Sequence, residues 1–302
     1  MRKLLIVDGN GIGYANQHGT KLTNGAMETQ ALFGMIKSMR ALRETYIGYQ
    51  IRVLWDGKAQ WRFDLLPEYK ANRSDDPKKV AVKESYQAQR PFIYQALEML
   101  GIPQVFDDDM EADDLAGYMV AMLPVEEEGR DVVLIAGDQD WAQLVRQGVS
   151  WQDPREKSRF INQDNFFSYT GYRNPVTFLE GKALQGDNSD NIPGVGGVGE
   201  KRACELIAEY GRVKNLYSEY DAGRVKATSK FMKNVVSKEG REAFMRNLRM
   251  MQLMKVPEPK NIKIVRSKVK PESFHDLCAE MNFGSILRDF DRFITPFERN
   301  IT

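Results

Sequence analysis

Nine carboxylates are the groups in this sequence best placed to do chemistry. Asp8, Asp56 and Asp138 each close a short apolar run, KLLIVD, IRVLWD and DVVLIAGD, that reads as a buried strand. In an open α/β sheet, sites form outside the carboxyl ends of the strands, so these three should converge. Glu111, Asp113 and Asp114 open a helix as EADD, with Glu111 and Asp114 spaced i,i+3 on one face. Asp140 follows Asp138 in GDQD, and Asp187 and Asp190 come from the turn GDNSDN. One aspartate at such a place is as often a helix N-cap, and helix dipoles favour first-turn acids. Nine exceed what capping needs. Two unit charges ~4 Å apart repel by about 4 kcal/mol at an effective dielectric of about 20, so either protons or divalent cations must sit among them. Hard oxygen ligands without a His or Cys cluster fit Mg²⁺ or Mn²⁺. Two such ions roughly 3.5–4 Å apart would stabilise the attacking and leaving oxygens of a phosphoryl displacement. The only histidines, His18 and His275, lie away from these motifs.

A second element suits phosphates. Gly194, Gly196, Gly197 and Gly199 spell G-x-G-x-x-G in GVGGVG. A dinucleotide fingerprint must follow a strand, whereas the preceding VTFLEGKALQ reads as helix. Helix, glycine turn and a second helix from Glu200 make a helix-hairpin-helix over 176–210. Its backbone N–H groups and helix N-terminus can approach a phosphate, with Lys201 and Arg202 in the first turn. A purely structural turn between packed helices is the alternative. The connection LPEYKANR follows Asp56. If it is helical, Lys70 and Arg73 face one phosphate at i,i+3, and Tyr69 and Trp61 can stack on bases.

The elements that must position these groups alternate. Strands are expected at 3–8, 51–56, 103–106 and 131–136, and helices at 27–46, 87–100 and 111–123, which implies a mostly parallel sheet with helices on both faces. From 175 onward the pattern becomes mainly helical. We therefore expect an α/β core over 1–174, with a long polar connection at 58–90, and a helical region over 175–302. The 302 residues carry 43 Lys plus Arg against 42 Asp plus Glu, a net charge of +1. That balance hides opposed blocks: twelve acidic residues against one basic over 101–140, and eighteen basic against eight acidic over 199–270. The basic block suggests a polyanion surface, while the run Glu126-Glu127-Glu128 is expected to be a solvated face. Apolar runs are far shorter than the ~20 residues that span a bilayer, and no secretory signal precedes Asp8. Cys204 and Cys278 cannot build a disulfide framework, so a reducing cytoplasm is expected; separately, a monomer is expected.

Together IVDGN, LPEYKANR, EADD, GDQD and GDNSDNIPGVGGVGEKRA resemble the flap endonuclease / 5′-3′ exonuclease family, which includes phage 5′-nucleases and the N-terminal nuclease domain of bacterial DNA polymerase I. The resemblance runs from Leu5 to about Tyr210. It implies a PIN-like parallel-sheet core, a helical arch over the site and a helix-three-turn-helix gripping duplex DNA. It implies one metal group near Asp56, Glu111, Asp113 and Asp114, and a second near Asp140, Asp187 and Asp190. Asp138 would lie between them and Asp8 would hold metal-bound waters. Lys70 and Arg73 would act on the scissile phosphate. Tyr69, Lys182, Gly194, Gly196, Gly197, Gly199, Lys201 and Arg202 would contact DNA, and the carbonyls of Val195 and Val198 would bind K⁺.

Two departures bear on partners. No polymerase domain follows, so a stand-alone, phage-like nuclease is expected, and 294–302 carries no Q-x-x-L-x-x-F-F-like tail for a cellular sliding clamp. The expected activity is metal-dependent cleavage of branched or 5′-ended DNA in replication or repair, giving 5′-phosphate and 3′-hydroxyl. The alternatives are a non-catalytic DNA-structure-binding protein, or a related ribonuclease acting on RNA–DNA hybrids.

Overall fold

The computed structural model describes residues 3–73, 76–123, 129–156 and 158–299. The acidic run Glu126-Glu127-Glu128 lies outside these described residues. The first half runs β1 (Lys3–Asp8), α1 (Gly9–Gln17), β2 (Thr23–Asn24), β3 (Met27–Glu28), α2 (Gln30–Thr45), β4 (Gln50–Leu54), α3 (Gln60–Leu65) and α4 (Pro77–Met99). Next come β5 (Gln104–Phe106), α5 (Ala112–Ala121), β6 (Asp131–Ile135), a short 3-10 helix (Gln139–Leu144), β7 (Val149–Gln152) and β8 (Phe160–Ile161). Helices α6 (Phe166–Thr170), α7 (Pro175–Gln185), α8 (Glu200–Tyr210), α9 (Val213–Asp221), α10 (Lys230–Val236) and α11 (Lys238–Met251) follow. The chain closes with β9 (Lys263–Val265), α12 (Pro271–Glu280), α13 (Gly284–Leu287) and α14 (Phe290–Glu298).

The main sheet has the order β8-β7-β6-β1-β4-β5-β9. Its inner pairs are parallel and its two edges, β8 and β9, are antiparallel. The chain builds outward from β1 to β4 and β5, then returns to β1's other side with β6. The sheet order therefore reverses between β1 and β6, where ligands collect in folds of this kind.

Successive strand residues point to opposite faces, and each face has its own core. Leu4, Ile6, Val132 and Leu134 pack with α5 and the helices α7 to α11. Leu5, Val7, Val133 and Ile135 pack with α1, α2, α4 and the last three helices. Burial on both sides explains why the central strands read as continuous apolar runs.

Several boundaries differ from expectation. The helix expected at 87–100 starts at Pro77, because Asp76 accepts from the Lys78 N–H at 2.9 Å and Pro77 fits the first turn. The helix expected from 27 starts at Gln30, because Met27 and Glu28 pair with Thr23 and Asn24 instead. Residues 175–302 do not all pack on one face of the sheet. β9 pairs with β5 as a sheet edge, and α12 to α14 bury Phe274, Phe293 and Phe297 against the face that carries α2 and α4.

Because Phe274 is fully buried there, Phe274→Ala should destabilise the fold by about 3–5 kcal/mol, as for other large core truncations. Denaturant unfolding monitored by circular dichroism measures it. A loss below ~1 kcal/mol would mean that the C-terminal helices do not share the core.

Candidate active site

The carboxylates are brought to the sheet's carboxyl edge by strand ends and helix starts. Asp8 ends β1 and caps α1, accepting from the Gly11 N–H at 2.8 Å. Asp56 lies two residues past β4 and accepts from the Ala112 N–H at 2.8 Å, which fixes the start of α5. Asp113, in the first turn of α5, accepts from Trp141 Nε1 at 2.6 Å. Asp138 caps the 3-10 helix through the Asp140 N–H at 2.7 Å. Capping and crowding are thus both true of these residues.

Crowding shows in their proton affinities. Burial, then the charges of Asp56 and Asp138, push the Asp8 carboxyl up to about 7. Asp113 is held well above the usual carboxylate range by burial and by Asp138, Asp8 and Asp56. Asp138 is raised by burial and by Asp187 and Asp190, against the pull of the Asp140 N–H and Lys182. Burial and Asp138 push Asp140 to about 7 even though Lys182 Nζ lies 3.0 Å away. Asp187 moves the other way. Burial opposes its charge, but Ser189, which donates both its N–H and its hydroxyl at 2.7 and 2.6 Å, and Lys182 outweigh it.

The expected grouping is only partly realised. Asp114 does not face the other acids. It is fully buried, and the Arg62 guanidinium donates to both its oxygens, Nη1 to Oδ2 at 2.7 Å and Nη2 to Oδ1 at 2.6 Å. Asp114 is thereby the direct counter-ion of Arg62. Asp190 is engaged by the 66–73 connection: Arg73 Nη2 lies 3.0 Å from Oδ1, and the Tyr69 hydroxyl 2.9 Å and Lys70 Nζ 3.7 Å from Oδ2. Among the described residues, no three acids close into a compact ligand cluster. The donor set nevertheless fits hard divalent cations: Asp8, Asp56, Asp113 and Asp138 oppose one another with no ammonium or guanidinium hydrogen-bonded to any of the four among the described contacts.

The connection 66–73 is a run of turns, so Lys70 and Arg73 do not share a helical face. Lys70 takes a left-handed backbone, φ 60°, with its N–H on the Asp190 carbonyl at 2.9 Å and its Nζ 2.7 Å from Glu111 Oε1. Tyr69, expected to stack on bases, is instead buried. Its hydroxyl lies 3.0 Å from Glu111 Oε2 and 2.9 Å from Asp190, so it ties α5 to the 187–192 turn. Trp61 is half-buried with the Arg62 guanidinium 4.4 Å over its ring. Lys182, expected on DNA, rests on Asp140. Arg62 was missed altogether. The one available signal was a lone cation in the apolar stretch WRFDLL, a pattern that does not by itself say burial.

The hairpin behaves as its glycines require. Gly196 and Gly197 have φ of 62° and 79°, and a Cβ on Gly194 would lie 2.3 Å from the Gln185 carbonyl oxygen. Val195 and Val198 bury their side chains in the core, which pins the loop. Gly199 caps α8, and Arg202 donates to the Gly197 carbonyl at 3.2 Å. Lys201 extends into solvent. The hairpin begins four residues after Asp190, so acids and glycine turn are joined by short chain.

Residues 3–171 match a family model described as 5′-3′ exonuclease, N-terminal resolvase-like domain, and residues 173–272 one described as 5′-3′ exonuclease, C-terminal SAM fold. The chain belongs to the 5′-3′ exonuclease family. Its relatives in that family include the thermostable DNA polymerase I of Thermus filiformis, 30% identical over 298 residues, which cover 96% of this chain and 33% of the polymerase. DNA polymerase I of Mycobacterium tuberculosis is 33% identical over 243 residues, covering 78% of this chain and 26% of that protein. The chain thus spans about a third or less of these relatives. The fold is that of T5 5′-exonuclease with bound divalent metal ions (TM-score 0.70, 24% identity, 100% of both chains covered). It is likewise that of T5 D15 flap endonuclease in complex with DNA and metal ions (TM-score 0.70, 24% identity, 99% and 100% covered).

The raised carboxyls make metal-free stability depend on pH. Asp8 and Asp140 titrate near 7 when folded against about 3.8 for the ordinary group, so between these values the folded chain binds more protons than the unfolded one. Their contribution is full below the unfolded value and is lost as pH rises through about 7. Asp187, which is lowered, acts only on the acid side of this window. Without divalent metal, the thermal midpoint should fall by a few degrees from ~pH 5 to ~pH 8, and millimolar Mg²⁺ should abolish most of the fall. A metal-free midpoint that rises over this range would mean the acids do not repel one another.

Proposed function

We propose that this chain is a divalent-metal-dependent, structure-specific 5′-nuclease. It would hydrolyse DNA phosphodiesters at 5′ ends, flaps or junctions, leave 5′-phosphate and 3′-hydroxyl, and serve replication or repair. One observation carries the reading: Asp8, Asp56, Asp113 and Asp138 converge at the sheet's switch point, where the charges of Asp56 and Asp138 help to hold the Asp8 and Asp113 carboxyls above the usual carboxylate range. A protein that only bound DNA would gain nothing from such repulsion beside a polyanion. Relatives named as DNA polymerase I, and a neighbour described as a flap endonuclease with DNA and metal ions, support the same reading.

Asp56, Glu111 and Asp113 would hold one Mg²⁺ or Mn²⁺, and Asp140, Asp187 and Asp190 a second, with Asp138 between them. When bound, such ions supply the Lewis acidity that phosphodiester hydrolysis needs at neutral pH. The chain's own residues do the rest. Asp8, anchored by the Gly11 N–H and beside the charges of Asp56 and Asp138, would orient the attacking water. Lys70 and Arg73, resting on Glu111 and Asp190, are at the lip of the site and would turn to the scissile phosphate, where charge develops in the transition state. The hairpin glycines and Lys201 would hold duplex phosphates away from the cut, with K⁺ on the carbonyls of Val195 and Val198. We further propose a cytoplasmic monomer without a cellular-type clamp partner, acting on DNA and tested in parallel on RNA–DNA hybrid.

The test is cleavage of a labelled 5′ flap with and without Mg²⁺. Asp113→Asn and Asp138→Asn should each abolish cleavage and leave duplex binding intact or tighter, because each removes a negative charge facing phosphate. Full activity in a folded variant would remove that residue from the site.

Lys70 and Lys201 should separate rate from affinity. Lys70→Ala should slow saturated single-turnover cleavage by about 10²-fold, the scale of a lost transition-state donor, with little change in binding. Lys201→Ala should weaken binding to all sequences and reduce the slope of log K against log[salt] by roughly one, with a smaller effect on the saturated rate. The reverse pattern would mean that the two elements exchange roles.

A further inference from the structure

Arg62 is the buried cation of the site, 3% exposed, on a helix that supplies no carboxylate to it. Its guanidinium makes four hydrogen bonds in its plane. Two go to Asp114, one runs from Nη1 to Glu111 Oε2 at 3.2 Å, and one from Nε to the Met250 carbonyl at 3.0 Å. Asp114 Oδ2 also accepts from the Glu111 N–H at 3.1 Å. Glu111 is therefore gripped at its backbone by Asp114 and at its carboxylate by Arg62. Tyr69 and Lys70 complete the carboxylate's surroundings.

We propose that Arg62 is a positioning residue, which takes Asp114 as its counter-ion, fixes the carboxylate of Glu111 for metal, and anchors both to the last turn of α11. This rests on the reading of Glu111 as a metal-holding group. The chemistry favours arginine over any other cation. A planar guanidinium satisfies both Asp114 oxygens and still reaches Glu111 and a carbonyl, whereas an ammonium offers three donors without that fixed plane. Burial works against the guanidinium's charge, and the charges of Asp114 and Glu111 overcome it, so the group stays charged. Removing either partner would leave a buried charge uncompensated. The Met250 bond adds a link that sequence distance hides: α11 belongs to the helical region that packs α7 and the hairpin, so the DNA-facing half and Glu111 share one rigid contact.

Arg62→Lys keeps the charge and removes the planar geometry. The probe is Mn²⁺ titrated calorimetrically into the full chain without DNA, with thermal unfolding to establish that the variant folds. Expected is about a tenfold loss of Mn²⁺ affinity, the scale of lost outer-shell support, with metal-free duplex binding unchanged within about twofold. Saturating Mn²⁺ should restore part of the cleavage rate. Wild-type Mn²⁺ affinity in a folded Arg62→Lys would overturn the proposal and leave Arg62 a purely structural residue.

Should Arg62→Lys fail to fold, Arg62→Gln decides, because its planar amide can engage one carboxylate but cannot span Asp114 and Glu111 together. About a tenfold loss of Mn²⁺ affinity in the folded variant supports the proposal, and an unchanged affinity overturns it. The nuclease reading fails separately: a wild-type chain that binds Mn²⁺ and cleaves no flap sinks that reading, while the titrations still decide Arg62.

Discussion

Repulsion among carboxylates at one edge of a parallel sheet is the constraint on which the rest of this structure depends. The charges of Asp56 and Asp138 help to hold the Asp8 and Asp113 carboxyls above the usual carboxylate range, and Asp140 and Asp187 extend the same field. Left to side-chain chemistry alone these groups would separate. They stay because each is fixed in place: Asp8 and Asp138 cap helices, Asp56 holds the first N–H of α5, and Asp113 accepts from the Trp141 indole. A doubly covered sheet makes that backbone rigid, since every central strand is buried on both faces.

The cations around this field are distributed with equal consistency. Lys182 rests on Asp140 and Lys70 on Glu111, so each half of the site has one ammonium at its margin. Lys70 does so from a left-handed backbone, a conformation that costs a non-glycine residue on the order of 1 kcal/mol. Its N–H and its Nζ both engage the acidic side, which compensates that cost. Arg62 differs in kind. It is not at the margin but beneath the site, and it holds one of the nine acids, Asp114, as its counter-ion.

The two halves of the chain are interlocked and not merely joined. Helices α7 to α11 cover one face of the sheet and carry the hairpin, while α12 to α14 cross back to close the other face. β9 makes the crossing by pairing with β5 at the edge. The 187–192 turn takes acids and hairpin from a single stretch of chain, and Tyr69 and Arg73 bind that turn to the 66–73 segment. Geometry at the acids and geometry at the glycine turn are therefore set together.

Sequence alone determined the central strands, the acids at their ends and the glycine hairpin, because each is a local pattern with one physical meaning. A buried parallel strand must be apolar throughout, a strand-end Asp must face the carboxyl edge, and closely spaced glycines permit backbone that other residues resist. Where meaning depends on what lies opposite, sequence was silent or misleading. Asp114 looked like its neighbour Asp113, yet one helical position turned it inward to Arg62, more than fifty residues upstream. Tyr69 looked like a base-stacking platform and became a buried strut, because Glu111 and Asp190 offered its hydroxyl acceptors. The return of α12 to α14 was equally hidden, since an amphipathic helix specifies that it needs an apolar partner but not which face supplies one. Those choices belong to tertiary packing, where long-range pairing of charge and apolar surface decides among alternatives that are locally equal.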